Sequence, residues 1–327
     1  MEFRTYEDLN STILQNISEI PQDADLIVGI PRSGLMVASI IALYRNLPLT
    51  SLDDFLAGNL FTPGITKPKN GWIKSIHEAR KILVVEDSVN SGASIQKAKK
   101  LIAEKTDCAD KCMYLAVYIN KSTAKLVDFY FEILEQPRIF QWNFLQHTYL
   151  NQCCFDIDGV LCDDPSPYQN DDGIKYHEFL LHAPLKLSPQ REVKYLVTSR
   201  LEKYRSETEI WLKKYHISYG ELIMMNLTSA DERRRLGNHA EFKAEQYLSN
   251  PDAALFIESD DEQAQKIFQL TNKPVFCVNS QQYYCDEKRE RMIALKSRKK
   301  KQYKHFLKKF WLVRIVIKVR NNLRKRK

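Results

Sequence analysis

"ILVVEDSVNSGASI", residues 82–95, decides how the first half of the chain is read. Its four leading aliphatic residues, Ile82 to Val85, suit a short strand buried on both faces. Two carboxylates, Glu86 and Asp87, follow directly, then small polar residues, and then a helix-like run from Ile95. At the carboxyl end of a parallel strand, a loop faces the ligand crevice of an open α/β sheet. Adjacent acids there can accept hydrogen bonds from neighbouring hydroxyls such as a ribose diol. Ser88 to Ser94 add consecutive backbone N–H groups and three serine hydroxyls at a helix N-terminus, the geometry that holds a phosphate. A ribose with a 5-phosphate offers both features; a plain acidic loop with an N-cap serine has the same spacing.

Outward from this stretch the chain alternates. Strand-like runs at 26–30, 82–85, 114–119 and 129–134 interleave with helix-like runs at 35–46 and 95–105, an α/β pattern with a mostly parallel sheet. A second alternation starts near Gln152, with an apolar run into Asp156, then "VKYLVTS", a helix-like stretch 204–215, "AALFIES" and "KPVFCVN". The seam falls between Asn143 and Asn151. The expected organisation is two Rossmann-like α/β domains with mostly parallel sheets, 1–147 and 148–287, and a basic helical tail, 288–327.

Composition agrees with a globular body. The chain has 327 residues, 44% hydrophobic and 28% charged, enough for two cores. Its seven cysteines are scattered, and with no signal peptide they read as reduced thiols in a cytosol. Cys108 and Cys112 could begin a metal site, but no second pair has ligand spacing, which favours a structural reading. Charge is uneven: residues 291–327 contain 16 Lys/Arg and no acid, leaving 33 basic against 41 acidic residues elsewhere. An acidic body argues against specific nucleic-acid binding.

The motif "VVEDSVNSGAS" resembles the phosphoribosyl-diphosphate signature of type I phosphoribosyltransferases. The resemblance implies that Glu86 and Asp87 hold the ribose hydroxyls, while Asn90, Ser91, Gly92, Ala93 and Ser94 cradle the 5-phosphate. Ser91 stands where that family more often has threonine, which keeps the hydroxyl. "LIVGIPRSGLMVASIIA" (26–42) matches the family's early loop, which grips the diphosphate. Arg32 would meet phosphate oxygens through its fork of donors, with Ser33 beside it, and Gly34 would let the backbone approach. "FTPGITKPKNGW" (61–72), with Lys67 and Lys69, stands where the family has a mobile hood; a solvated turn is the equal alternative. Asp53, Asp54 and His77 are undiscriminated candidates for the base that activates an acceptor.

In the second half "CCFDIDGVL" (153–161) resembles the first motif of haloacid-dehalogenase-like phosphatases. Spacing of two puts both acids on one side, where they can share one Mg²⁺ and one phosphoryl group. By that resemblance Asp156 is the nucleophile and Asp158 the acid/base. "YLVTSR" makes Thr198 a phosphoryl-oxygen donor, and Lys243 in "HAEFKAEQYL" the neutralising lysine. "LFIESDDEQA" supplies Glu258 and Asp260 to the metal shell, with Asp261 as alternate. A surface lysine is the bland alternative for Lys243. "DDPSPYQNDDGIKYHEF" is expected to shape the entrance.

Together the resemblances imply transfer of 5-phosphoribose from phosphoribosyl diphosphate, then hydrolysis of the 5-phosphate. This pairing resembles the bifunctional enzymes that install ribofuranose on bacterial polysaccharides, which points to a glycan, expected to be lipid-linked, as acceptor. A nucleobase phosphoribosyltransferase with a nucleotide phosphatase is the alternative, and a non-catalytic sensor the third. The tail places Phe306, Phe310, Val313 and Ile317 at helical spacing among basic residues, too short and charged to span a bilayer. It reads as lying on an anionic membrane surface, which would put a cytoplasmic protein on the inner face of the plasma membrane.

Overall fold

The computed structural model describes residues 1–61 and 73–286. Apart from Phe61, the expected hood segment with Lys67 and Lys69 lies outside them, as does the tail from 288. Residues Met1–Tyr283, where described, make one compact unit.

The first elements are β1 (Glu2–Arg4), α1 (Tyr6–Asn16), β2 (Leu26–Gly29), α2 (Ser33–Arg45), β3 (Leu49–Ser51), α3 (Leu52–Leu56), β4 (Ile82–Val89), α4 (Ala93–Lys105), β5 (Cys112–Ile119), β6 (Phe129–Ile133) and β7 (Arg138–Phe140). Five of these strands form a parallel sheet in the order β3-β2-β4-β5-β6. β4 is central, and its aliphatic run serves both faces, as the period-2 alternation of strand side chains requires. Ile82 and Val84 pack with Ile95, Ala98 and Ile102 of α4, whereas Leu83 and Val85 pack with Val37, Ala38 and Ile41 of α2. β4 runs four residues past the aliphatic run, through both acids. Its backbone keeps pairing with β5 at Glu86↔Ala116, Ser88↔Tyr118 and Val89↔Ile119. Backbone pairing is indifferent to side-chain polarity, so hydrophobicity alone set the expected strand too short.

The second half holds β8 (Cys153–Phe155), α5 (Ile174–His182), β9 (Val193–Leu201), α6 (Arg205–Lys214), β10 (Tyr219–Met225), α7 (Ala230–Leu236), α8 (His239–Ser249), β11 (Leu255–Glu258), α9 (Asp261–Thr271), β12 (Val275–Cys277) and β13 (Tyr283–Tyr284). They build a second sheet in the order β10-β9-β8-β11-β12-β13. β8 and β11 are adjacent and parallel, with Phe155 opposite Ile257, so the residues leaving them meet at one edge. The expected seam is occupied by two short 3₁₀ turns, Phe144–Gln146 and Thr148–Gln152.

Contacts cross that seam. β1 pairs with β7 in a separate two-stranded sheet, and Phe3, Ile139 and Phe144 join the core of the second half. Phe3 is 1% exposed, with ring centroids 4.8 Å from Phe276 and 5.0 Å from Tyr283. Phe3→Ala should therefore weaken both halves together. A loss of about 3–5 kcal/mol is expected in urea unfolding, because a fully packed ring leaves a cavity. An unchanged midpoint would show that this contact is not formed.

Candidate functional site

Two crevices lie at the carboxyl edges of the two sheets. In the first, Glu86 and Asp87 are both buried at the end of β4, and their side chains interact with each other. Ser94 Oγ donates to Glu86 Oε2 at 2.6 Å, and Trp142 Nε1 donates to Asp87 Oδ2 at 2.7 Å. A Cβ on Gly34 would lie 2.6 Å from the Val85 carbonyl oxygen and 3.1 Å from Glu86 Oε1, so only glycine lets α2 start this close to β4. Gly34, Glu86 and Ser94 thus come together. Burial pushes the Glu86 carboxyl up to about 8; the Ser94 hydroxyl opposes this and the Asp87 charge adds to it.

The loop from Val89 to Ala93 has its own supports. Gly92 takes φ +86° as the N-cap of α4, and a Cβ there would lie 2.2 Å from Leu126 Cδ1. Asn120 Nδ2 donates to Asn90 Oδ1 at 2.7 Å and to the Asn90 carbonyl at 3.1 Å. The buried Arg138 donates through Nη2 to the Val89 carbonyl at 3.1 Å and through Nη1 to Asn120 Oδ1 at 3.1 Å. Ser91 Oγ accepts from the Ala93 N–H at 3.4 Å. Arg32, Asn90, Ser91, Ala93 and Ser94 are exposed at the rim, with Ser33 half-buried. Arg138, Asn120 and Trp142 escaped sequence reading because they lie beyond the motif they support. His77 sits before the start of β4, at the sheet edge away from this crevice, and is corrected as an acceptor base on that ground.

In the second crevice, Lys243 reaches from α8 between two acids. Its Nζ donates to Asp156 Oδ2 and to Glu258 Oε2, both at 2.7 Å, and to Gln263 Oε1 at 3.0 Å. Lys243 is 2% exposed, so it is not a surface lysine. Asp158 is gripped by Arg200, whose Nη2 lies 2.6 Å from Oδ1 and whose Nε lies 3.0 Å from Oδ2. Arg200 is wholly buried and follows Thr198 by two residues on β9; a cation ending a buried strand was the signal available for it. Thr198 is also wholly buried, and its Oγ1 accepts from the Arg200 N–H at 3.2 Å.

The fourth motif differs from expectation in detail. Glu258 Oε1 accepts from the N–H groups of Ser259 at 2.8 Å and Asp260 at 3.2 Å, while Oε2 faces Lys243. Asp260 is the exposed N-cap of α9, accepting from Gln263 N–H at 2.8 Å, and Asp261 accepts from the Ser280 hydroxyl. The acid that follows the strand end is used to start a helix. Asp164 also lies at this edge: a Cβ on Gly159 (φ +73°) would lie 2.7 Å from Asp164 Oδ2 and 2.2 Å from Ser259 Oγ. Asp164 also borders a cleft of about 740 Å³ that includes Tyr168, Lys175, Glu178 and His182.

Four carboxylates, Asp156, Asp158, Asp164 and Glu258, thus face two cations, Lys243 and Arg200. Burial raises Asp156 to about 8, with Glu258 and Asp158 adding to the rise and Lys243 opposing it. Burial also raises Asp164, with Asp158 adding. Burial by itself would lower Lys243, but Asp156 and Glu258 hold it above its ordinary value. An all-oxygen donor set with surplus negative charge suits a hard divalent cation. Among the described residues, Asp156, Asp158, Glu258 and Asp260 do not bring three donor oxygens within 4.8 Å of one another.

Residues 4–149 match the family described as "Phosphoribosyl transferase domain". No curated protein matches the chain. Among solved structures it is similar to a purine phosphoribosyltransferase from Pyrococcus horikoshii (14% identity, 43% of this chain and 94% of that one, TM-score 0.31). It is also similar to a xanthine-guanine-hypoxanthine phosphoribosyltransferase from Helicobacter pylori (19% identity, 44% and 93%, TM-score 0.34). A third is a hypothetical protein from Neisseria gonorrhoeae with bound ppGpp (13% identity, 43% and 89%, TM-score 0.31).

The raised Glu86 carboxyl makes stability depend on pH. Its folded value of about 8 exceeds the ordinary 4.5, so between those values the folded state holds a proton that the unfolded chain has released. Stability from this group is therefore full below 4.5 and is lost as pH rises through about 8. Glu86→Gln removes the penalty. Its melting temperature should match wild type near pH 5 and exceed it by a growing margin toward about pH 9. A margin independent of pH would refute the assignment.

Proposed function

We propose that the chain transfers 5-phosphoribose from phosphoribosyl diphosphate to a glycan acceptor and then hydrolyses the 5-phosphate, leaving ribofuranose. The observation that carries this reading is the Lys243 bridge between Asp156 and Glu258, in the same compact unit as the Glu86/Gly92 loop. A transferred phosphoribosyl group is a phosphomonoester, and a buried acid pair around one lysine suits hydrolysis of such a group.

At the first crevice, the exposed N–H groups and hydroxyls from Asn90 to Ser94 would take the 5-phosphate, with Glu86 and Asp87 at the ribose. Arg32, Ser33 and Gly34 would lie along the diphosphate. At the second, an Asp156 oxygen would attack phosphorus as the ester P–O bond breaks, with Asp158 passing a proton to the leaving sugar oxygen. Water then hydrolyses the acyl phosphate and returns Asp156. Lys243 holds Asp156 in place, and Thr198, in β9 three residues before its end, would be the donor to a phosphoryl oxygen. Arg200 must loosen its fork for Asp158 to carry that proton. Mg²⁺ suits both crevices; when bound, it neutralises the phosphate charge. At the second crevice Asp156, Asp158, Glu258 and Asp260 would hold it, with Asp164 beside them. The cleft beside Asp164, with Tyr168 and Lys175, gives a sugar-bearing leaving group room.

A nucleobase acceptor is the second reading. Trp142, hydrogen-bonded to Asp87, and Tyr6, with its ring centroid 5.8 Å from that of Trp142, offer aromatic surface to a base. A pure sensor is less favoured, because sensing phosphoribosyl diphosphate has no use for the Asp156–Lys243–Glu258 network. No helix among the described residues is long and apolar enough to cross a membrane. The basic tail, outside those residues, is proposed to hold the chain on an anionic membrane surface at the cytoplasmic face.

Asp156→Asn tests the sequence of steps. With phosphoribosyl diphosphate and a membrane glycan extract, the variant should release diphosphate normally yet accumulate a phosphoribosylated glycan, its phosphatase rate falling on the order of 10³-fold or more. Phosphate-free ribosyl product from the variant would remove Asp156 as nucleophile. Product formed only with nucleobases would replace the glycan reading.

A chain truncated after Glu290 tests the tail. It should keep activity on a small phosphomonoester but fail to sediment with anionic vesicles. The full chain should sediment and be only partly released by salt, since screening weakens charge and leaves apolar insertion intact. If neither form sediments, the membrane assignment fails.

A further inference from the structure

Away from both crevices, the fold supplies Cys108 with partners that its neighbour in sequence, Cys112, could not provide. His77 lies in the 3₁₀ turn Ile76–Glu78 before β4, and Asp107 and Cys108 lie in the turn between α4 and β5. Their ligand atoms all fall within 4.8 Å of one another. His77 Nδ1 is 3.1 Å from Asp107 Oδ1, and Cys108 Sγ is 3.3 Å from the same oxygen. Ligand atoms around one tetrahedral zinc stand roughly 3.3–3.7 Å apart, given bonds of about 2.0–2.3 Å. The trio is therefore close to coordination spacing before any metal arrives. Cys112 Sγ instead lies 3.3 Å from the Cys108 carbonyl and is not one of the trio.

We propose that His77, Asp107 and Cys108 form a binding site for a zinc-class divalent metal that clamps the 75–79 turn to the 106–112 turn. Imidazole and thiolate select a borderline-soft ion over Mg²⁺ or Ca²⁺. Binding exchanges the Cys108 S–H bond for a sulfur–metal bond, and the proton leaves to solvent. The site sits at the edge where β4 and β5 begin, whereas Glu86 and the phosphate-type loop sit where β4 ends. The metal's role is consequently structural. It ties two turns whose covalent separation is long, and it leaves the reacting edge alone.

The test uses the purified full chain, stripped with a chelator and then titrated with Co²⁺ in excess Mg²⁺. Wild type should develop a near-ultraviolet thiolate-to-cobalt band at one equivalent, lose it on adding Zn²⁺, and melt a few degrees higher with Zn²⁺ bound. H77A, at an exposed position that does not threaten folding, and C108S should lose the band and the melting increment. Both should weaken Zn²⁺ binding at least about tenfold, measured against a chromophoric chelator. C162S, whose thiol lies beside Asp158, should keep the band. No band in wild type, or one that survives both H77A and C108S, would overturn the site and leave a hydrogen-bonded trio in its place.

Discussion

A charge taken out of water must find an opposite charge or a hydrogen bond, and this constraint organises both halves of the molecule. Lys243 meets it most fully, lying 2.7 Å from each of two buried carboxylates. Arg200 meets it against Asp158, and Arg138 through the Val89 carbonyl at the end of β4 and the Asn120 amide oxygen. Removing any one partner strands the other, so each pairing fixes a side-chain position as firmly as packing does. That rigidity is what a phosphate-handling crevice needs, because its polar groups must be aimed before the ligand arrives.

The pairings are also incomplete in a directed way. Ser94 gives Glu86 one hydrogen bond, yet burial still raises its carboxyl to about 8, and Asp156 is raised to a similar value despite Lys243. Both acids stand where a ligand or cation would relieve them. A fold selected for stability alone would have replaced them with apolar groups.

Much of this was legible because the informative residues are contiguous. The aliphatic run Ile82–Val85, the acids after it and the glycine-bearing loop are consecutive, and local sequence carries their geometry. The Asp156-x-Asp158 pair and Lys243 were legible for the same reason, each within a short motif. What was not legible depends on chain crossings. Arg138 and Asn120 reach the phosphate-type loop from β7 and from beyond β5, and Asp164 arrives beside Gly159 through a turn. The capping role of Asp260 was not legible because a carboxylate at a strand end and a helix N-cap look alike in sequence; only the α9 boundary shows it. The length of β4 was misjudged because the ladder with β5 continues past the last aliphatic residue.

The small β1–β7 sheet gives the chain a direction in time. Phe3 leaves the ribosome early, but Arg138–Phe140, Phe276 and Tyr283, which cover it, emerge much later. Contacts so distant in sequence form slowly, and a strand awaiting its partners exposes apolar surface meanwhile. The five-stranded sheet can assemble as it is synthesised, but the separate β1–β7 pair and the second half must complete each other after translation. The two halves are therefore matured as a pair, and a nascent chain interrupted after the first domain would carry an unsealed apolar edge that quality control could recognise.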